Sequence, residues 1–100
     1  MNKHTLQIIT AVTIDDGGLD LEELTQLLHT NHDVLTQLIE FELIIPRGDS
    51  PNTWRFDSIC IRRARRAISF HQDLGVNFNG VALAMDLLDQ IDELEKQLRI

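Results

Sequence analysis

Apolar residues recur along this chain with two different periods, and each change of period marks an element. Between Thr5 and Ile14 the run is rich in β-branched residues and ends at Asp15, Asp16, Gly17 and Gly18, which predicts one short strand closed by a turn. The period then becomes helical. Leu21, Leu24, Leu27 and Leu28 share one face, and Glu22, Glu23, Gln26 and His29 lie on the other. Asp20 is placed to cap this helix, with Glu23 three residues on as its capping-box partner. After Thr30, Asn31 and His32 a second short helix is predicted, with Val34, Leu35, Leu38, Ile39 and Phe41 apolar and Asp33, Thr36, Gln37 and Glu40 opposite. Two short helices joined by a tight polar turn predict a helix-turn-helix.

Leu43 to Pro46 reads as a buried extended exit from that motif, and Arg47 to Thr53 is turn-rich. Trp54, Arg55 and Phe56 are then the return limb of a small hairpin, a β wing. Asp57 or Ser58 can cap a third helix running to about Leu74, with Cys60, Ile61, Ala64, Ala67, Ile68, His71 and Leu74 in one arc and Arg62, Arg65 and Arg66 facing outward. Gly75 is a natural closing residue, and Asn77 or Asn79 can start a last helix reaching Ile100. In it Ala84, Leu87, Ile91, Leu94 and Leu98 recur at the alternating spacing of a coiled-coil seam, which predicts a partner helix and a homodimer. The expected fold is therefore mainly α: a winged helix-turn-helix with its third helix over residues 1–78, and a dimerisation helix over 79–100, in one compact domain.

Composition agrees with one small globular domain: 100 residues, 43% of them apolar and 25% charged. The net charge of −7 is unevenly spread. Residues 1–46 hold one lysine against eight acids, residues 47–74 six arginines against three acids, and residues 75–100 two bases against five acids. A net charge of −7, concentrated in residues 1–46, favours a cationic partner and repels nucleic acid on average. The longest unbroken apolar stretch, Val81 to Met85, is far short of the ~20 residues a membrane helix needs. One cysteine, Cys60, makes no internal disulfide, and no secretion signal is ordered at the start, so a cytoplasmic protein is expected.

The residue types that carry catalysis are present but wrongly arranged for it. His29, His32 and Asp33 lie close together, yet a structural zinc site takes four ligands and Cys60 is distant in sequence. Cys60 falls on the apolar arc of the third helix, where a thiol behaves as a small buried hydrophobe, and His71 on the same arc reads as a core histidine. The neighbouring carboxylates of Asp15 and Asp16, Glu22 and Glu23, and Asp92 and Glu93 have the spacing of solvated faces. Gly17 and Gly18 are followed by no lysine, so no phosphate loop is present. No enzyme, cofactor or metal is expected.

Arg62, Arg63, Arg65 and Arg66 form the strongest local cluster of charge. As phosphate contacts they would accompany a second helix in a major groove. The outward residues of that second helix argue against this, because Asp33 and Glu40 would approach a polyanion and only Gln37 is suited to reading a base.

Taken together, the order of helix, turn, helix, wing, arginine-bearing helix, short break and terminal seam resembles the MerR-type winged-helix architecture. More closely it resembles the CbpM-like modulators of the DnaJ-like co-chaperone CbpA. The residues carrying the likeness are Thr53 and Trp54, Phe56 and Asp57, Arg65 to Ala67, and the run from Gly80 to Ile91. They span about Leu35 to Leu98 and continue without gaps from Trp54, while the first helix and the strand before it match more loosely. The resemblance implies an inhibitor that binds the J-domain of a CbpA-like co-chaperone and blocks its encounter with a DnaK-type chaperone. J-domains of that class carry a basic second helix, so Asp33 and Glu40, with Thr36 and Gln37 beside them, become the leading contacts and Glu22, Glu23 and Glu42 the rim. The second helix carries Thr36 and Gln37 where DNA-binding MerR relatives have arginine and tyrosine, and the cysteines of the metal-sensing relatives have no counterparts. Arg55 does match their wing arginine, so the alternative is a MerR-like transcriptional regulator with Arg55, Arg62, Arg65 and Arg66 on phosphates.

Overall fold

Four polar side chains set where the helices of the described residues begin. The computed structural model describes residues 17–99, and the strand expected between Thr5 and Ile14 lies outside them. Ahead of α1 (Leu21–Leu28) the Asp20 carboxylate accepts from the Glu23 amide at 2.8 Å while the Glu23 carboxylate accepts from the Asp20 amide at 3.0 Å, the expected capping box. Asn31 accepts from the Val34 amide at 2.9 Å to open α2 (His32–Glu40). Asp57, rather than Ser58, accepts from the Cys60 amide at 2.9 Å to open α3 (Ser58–Ile68). Asn77, rather than Asn79, accepts from the Gly80 amide at 2.8 Å and opens α4 (Phe78–Leu98). Each such cap stabilises its helix by roughly 1 kcal/mol.

The first two helices end alike. Amides two residues beyond α1 and three beyond α2 reach back into the last turn, Thr30 to the Thr25 carbonyl at 3.1 Å and Leu43 to the Leu38 carbonyl at 2.9 Å. This closure needs a left-handed residue, commonly glycine, and here His29 (φ 53°) and Glu42 (φ 58°) take that conformation. Both closures bend the chain sharply enough to lay α1, α2 and α3 around one core. Leu24, Leu35, Leu38, Phe56 and Ile61 are fully buried there, with Ala64 and Ala67 letting α3 approach closely.

The wing is smaller than the sequence predicts. Its only β-bridge among the described residues is between Arg47 and Arg55, whose amides and carbonyls meet at 3.0 and 2.8 Å. The next residue, Phe56, pairs instead with Leu19 at 2.8 and 2.9 Å, tying the wing to the segment before α1. Gly18 makes this approach possible: at φ 95° a Cβ would stand 2.6 Å from the Phe56 carbonyl oxygen. The exit expected to be buried is so only in part, since Leu43 and Ile44 enter the core while Ile45 is 76% exposed.

A second departure lies after α3. The helix continues as a π turn, Ser69–Asp73, which inserts an extra residue and rotates the end of the turn out of the predicted arc. Leu74, expected on the buried face, is 68% exposed. His71 stays half-buried, with Nδ1 2.9 Å from the Val76 carbonyl oxygen and its ring stacked on Phe78 at 4.1 Å. Phe78 in turn stacks on Phe41 at 5.9 Å, so the start of α4 is held between the π turn and the end of α2. Val81 and Met85 complete the core from α4.

Candidate functional site

Three surfaces carry the residues singled out by the sequence, and they lie on different elements. On α2, Asp33, Thr36, Gln37 and Glu40 follow one another at helical spacing along one stripe, the two acids about 10 Å apart along the axis. Asp33 and Glu40 are exposed, and Thr36 and Gln37 are half-buried. Neither carboxylate forms an ion pair or a side-chain hydrogen bond among the described residues. Asp33 lies in the first turn, where the helix dipole favours an anion, whereas Glu40 lies in the last turn, where it does not.

The acids of α1 are engaged locally. Glu22 meets His32 Nε2 at 3.1 Å and accepts from the Gln26 amide group at 3.4 Å, and Glu23 serves the capping box. The Glu22–His32 contact brings the start of α1 beside the start of α2, so Glu22 and Asp33 lie at one end of a shared acidic face. Glu42 does not belong to that stripe. It follows the end of α2 and lines a small cleft of roughly 210 Å³ with Arg63, Asp86 and Asp89.

The α4 residues expected to form a seam behave differently from its first turns. Ala84 is half-buried, while Leu87, Ile91, Leu94 and Leu98 are 49, 48, 58 and 85% exposed. Beyond Leu88 every described residue of the chain is exposed, so this end of the helix stands clear of the core. It is steadied at Asp89, whose carboxylate accepts from Arg63 Nη1 at 2.9 Å while Arg63 Nε donates to the Leu43 carbonyl at 2.8 Å. Sequence reasoning missed this brace. Its acidic and basic partners are 26 residues apart, so although the helical period leaves Arg63 off the outward face of Arg62, Arg65 and Arg66, no local pattern names Asp89 as its partner.

The arginines expected to touch phosphate divide into two groups. Arg55 donates from Nη2 to the Gly18 carbonyl, and Arg47 to the Gly17 carbonyl at 2.9 Å, so both wing guanidiniums hold the segment before α1. Arg62, Arg65 and Arg66 line an open cleft of roughly 730 Å³ between α3, the π turn and the end of α1. Cys60 is buried, with Sγ 3.2 Å from the Ile45 carbonyl oxygen. Burial pushes its thiol pKa up, and the nearby Asp57 carboxylate adds to the shift, so the thiol is held neutral and unreactive.

Known families match this chain at the level of sequence. The model of the MerR HTH family regulatory proteins covers residues 19–100. A chaperone modulatory protein CbpM from Coxiella burnetii (strain Dugway 5J108-111) is 43% identical over 95% of this chain and 91% of its own length. The chain belongs to the MerR-like CbpM family of chaperone modulators. A second CbpM, from Pseudomonas putida (strain W619), is 34% identical over 79% of this chain and 78% of its own length. No solved structure matches the chain. The CbpM-family fold is thus mainly helical here, and none of its described helices is long and apolar enough to cross a membrane.

Proposed function

We propose that this CbpM-family chain acts by binding alone, docking on the J-domain of a CbpA-like co-chaperone and inhibiting its stimulation of a DnaK-type chaperone in the cytoplasm. The observation that carries this reading is the α2 stripe, where Asp33 and Glu40 are exposed and engage no described side chain. Charges so placed steer a cationic surface toward the protein and orient it, with rates that fall as salt rises. Glu22 and Glu23 extend the field from α1, and Glu42 adds an acid beyond the helix end. A left-handed non-glycine residue such as Glu42 costs on the order of 1 kcal/mol, and an acid at that position has a use outside the fold.

The same reading includes a homodimer formed through Ala84, Leu87, Ile91, Leu94 and Leu98 of α4. Four large side chains lying together on a projecting helix are the kind of apolar surface that a second copy covers. Calorimetric titration with the J-domain, and with random duplex DNA as the control ligand, tests the proposal. Saturable heat with the J-domain and none with DNA is the expected result. Salt-sensitive heat with DNA alone would replace it with the transcriptional-regulator reading.

A further inference from the structure

The basic cleft is a surface of the described residues that the modulator reading leaves unused. Its rim is formed by Arg62 and Arg66, both exposed and one helical turn apart, with guanidiniums rooted about 6 Å from each other along α3. Among the described residues neither forms an ion pair. Like charges at this spacing weaken a helix slightly, and this one belongs to a chain of net charge −7 with acids available to pair them. The lining of the cleft is mixed, with His29, Ser69 and Gln72 beside four apolar side chains. Leu28 and Ile68 form its buried floor, Phe70 is half-buried, and Leu74 is carried into solvent by the π turn.

We infer that this cleft is a docking site for an acidic, leucine-bearing segment of a second protein, separate from the acidic face of α1 and α2. Two carboxylates one helical turn apart match Arg62 and Arg66, and an apolar side chain between them fits against Leu74 and the floor. Charge complementarity selects the sign of the partner, and the apolar floor selects its class. A nucleic acid brings a long polyanion into the field of Glu22, Glu23 and the other acids of residues 1–46, whereas a short peptide brings only the charges it buries. Asp73 lies in the same lining, its carboxylate accepting from the Ser69 hydroxyl at 3.1 Å, and it too disfavours continuous phosphate. The protein would then present opposite charges on two surfaces and hold a basic and an acidic partner at once.

The test uses the full chain and a short labelled peptide with two glutamates one helical turn apart and leucines between them. Its glutamine counterpart, inorganic phosphate and a short duplex DNA are the comparison ligands. Amide and arginine side-chain NMR signals of Arg62, Arg66 and Leu74 are expected to shift saturably with the acidic peptide and not with the glutamine peptide. Replacing both arginines, R62Q with R66Q, is expected to weaken binding by about tenfold or more with an unchanged circular dichroism spectrum. L74S, at an exposed position, is expected to weaken it severalfold and to report the apolar contact. Equal binding of the two peptides, no shift at these residues, or preferential binding of duplex DNA or phosphate there would overturn the inference. None of these readouts involves a J-domain, so they are independent of the proposed function.

Discussion

The first two turns of α4 and its last two each carry an apolar pair four residues apart, Val81 with Met85 and Leu94 with Leu98, yet the two pairs have opposite fates. Val81 and Met85 are buried in the core, while Leu94 and Leu98 stand in solvent. Nothing in their periodicity distinguishes them. The difference comes from the elements that lie opposite: the stacked rings of Phe41, Phe78 and His71 and the brace from Arg63 to Asp89 fix the helix to the body up to about its middle. Beyond that point the body ends. An amphipathic pattern therefore specifies which face seeks cover, and only the neighbouring elements specify whether the cover is intramolecular.

Substitutions at the two ends of this contrast should differ most. Leu38→Ala empties a fully buried site and is expected to cost about 3 kcal/mol in urea unfolding, whereas Leu98→Ala should change the stability of the isolated protomer by less than about 0.5 kcal/mol. If Leu98→Ala proved as costly as Leu38→Ala, the end of α4 would be part of the body. Leu94→Asp is expected to convert a dimer to a folded monomer in sedimentation, and a dimer that survives would place the interface elsewhere. Arg63→Ala removes the brace between the two regimes and should cost about 1–2 kcal/mol, with the loss felt as raised amide exchange along α4.

Smaller effects separate the fold from the surface. Glu42→Gly relieves a left-handed side chain and is expected to stabilise the protein by about 1 kcal/mol in the same urea assay. Joint reversal of Asp33 and Glu40 to lysine should leave unfolding within about 0.5 kcal/mol of the original while slowing association with the J-domain severalfold at low salt. An unchanged association rate with native circular dichroism would remove the α2 stripe from the proposed interface.

Much of the fold was legible because its signals are local. Asp20 with Glu23, Asn31, Asp57 and Asn77 each bind an amide three residues away, so the helix starts can be read from adjacent positions. The acidic stripe was legible for the same reason, since Asp33, Thr36, Gln37 and Glu40 need only the period of one helix. The π turn was not. A uniform 100° step carries Leu74 inward, and the residue inserted by the π turn carries it outward. The roles of the arginines were equally hidden, because the six similar side chains between Arg47 and Arg66 are sorted by partners distant in sequence.

The sequence by itself determined the helix-turn-helix, the caps, the acidity of residues 1–46 and the apolar repeat of the last helix, all of which depend on residues within a few positions of one another. Only the tertiary structure decided that Arg47 and Arg55 tie down Gly17 and Gly18, that Arg63 braces α4, and that Arg62 and Arg66 are left to rim a cleft with an apolar floor. The reason is physical. A long cationic side chain takes whichever acceptor the packed backbone brings within reach, and the position of that acceptor is a property of the whole fold.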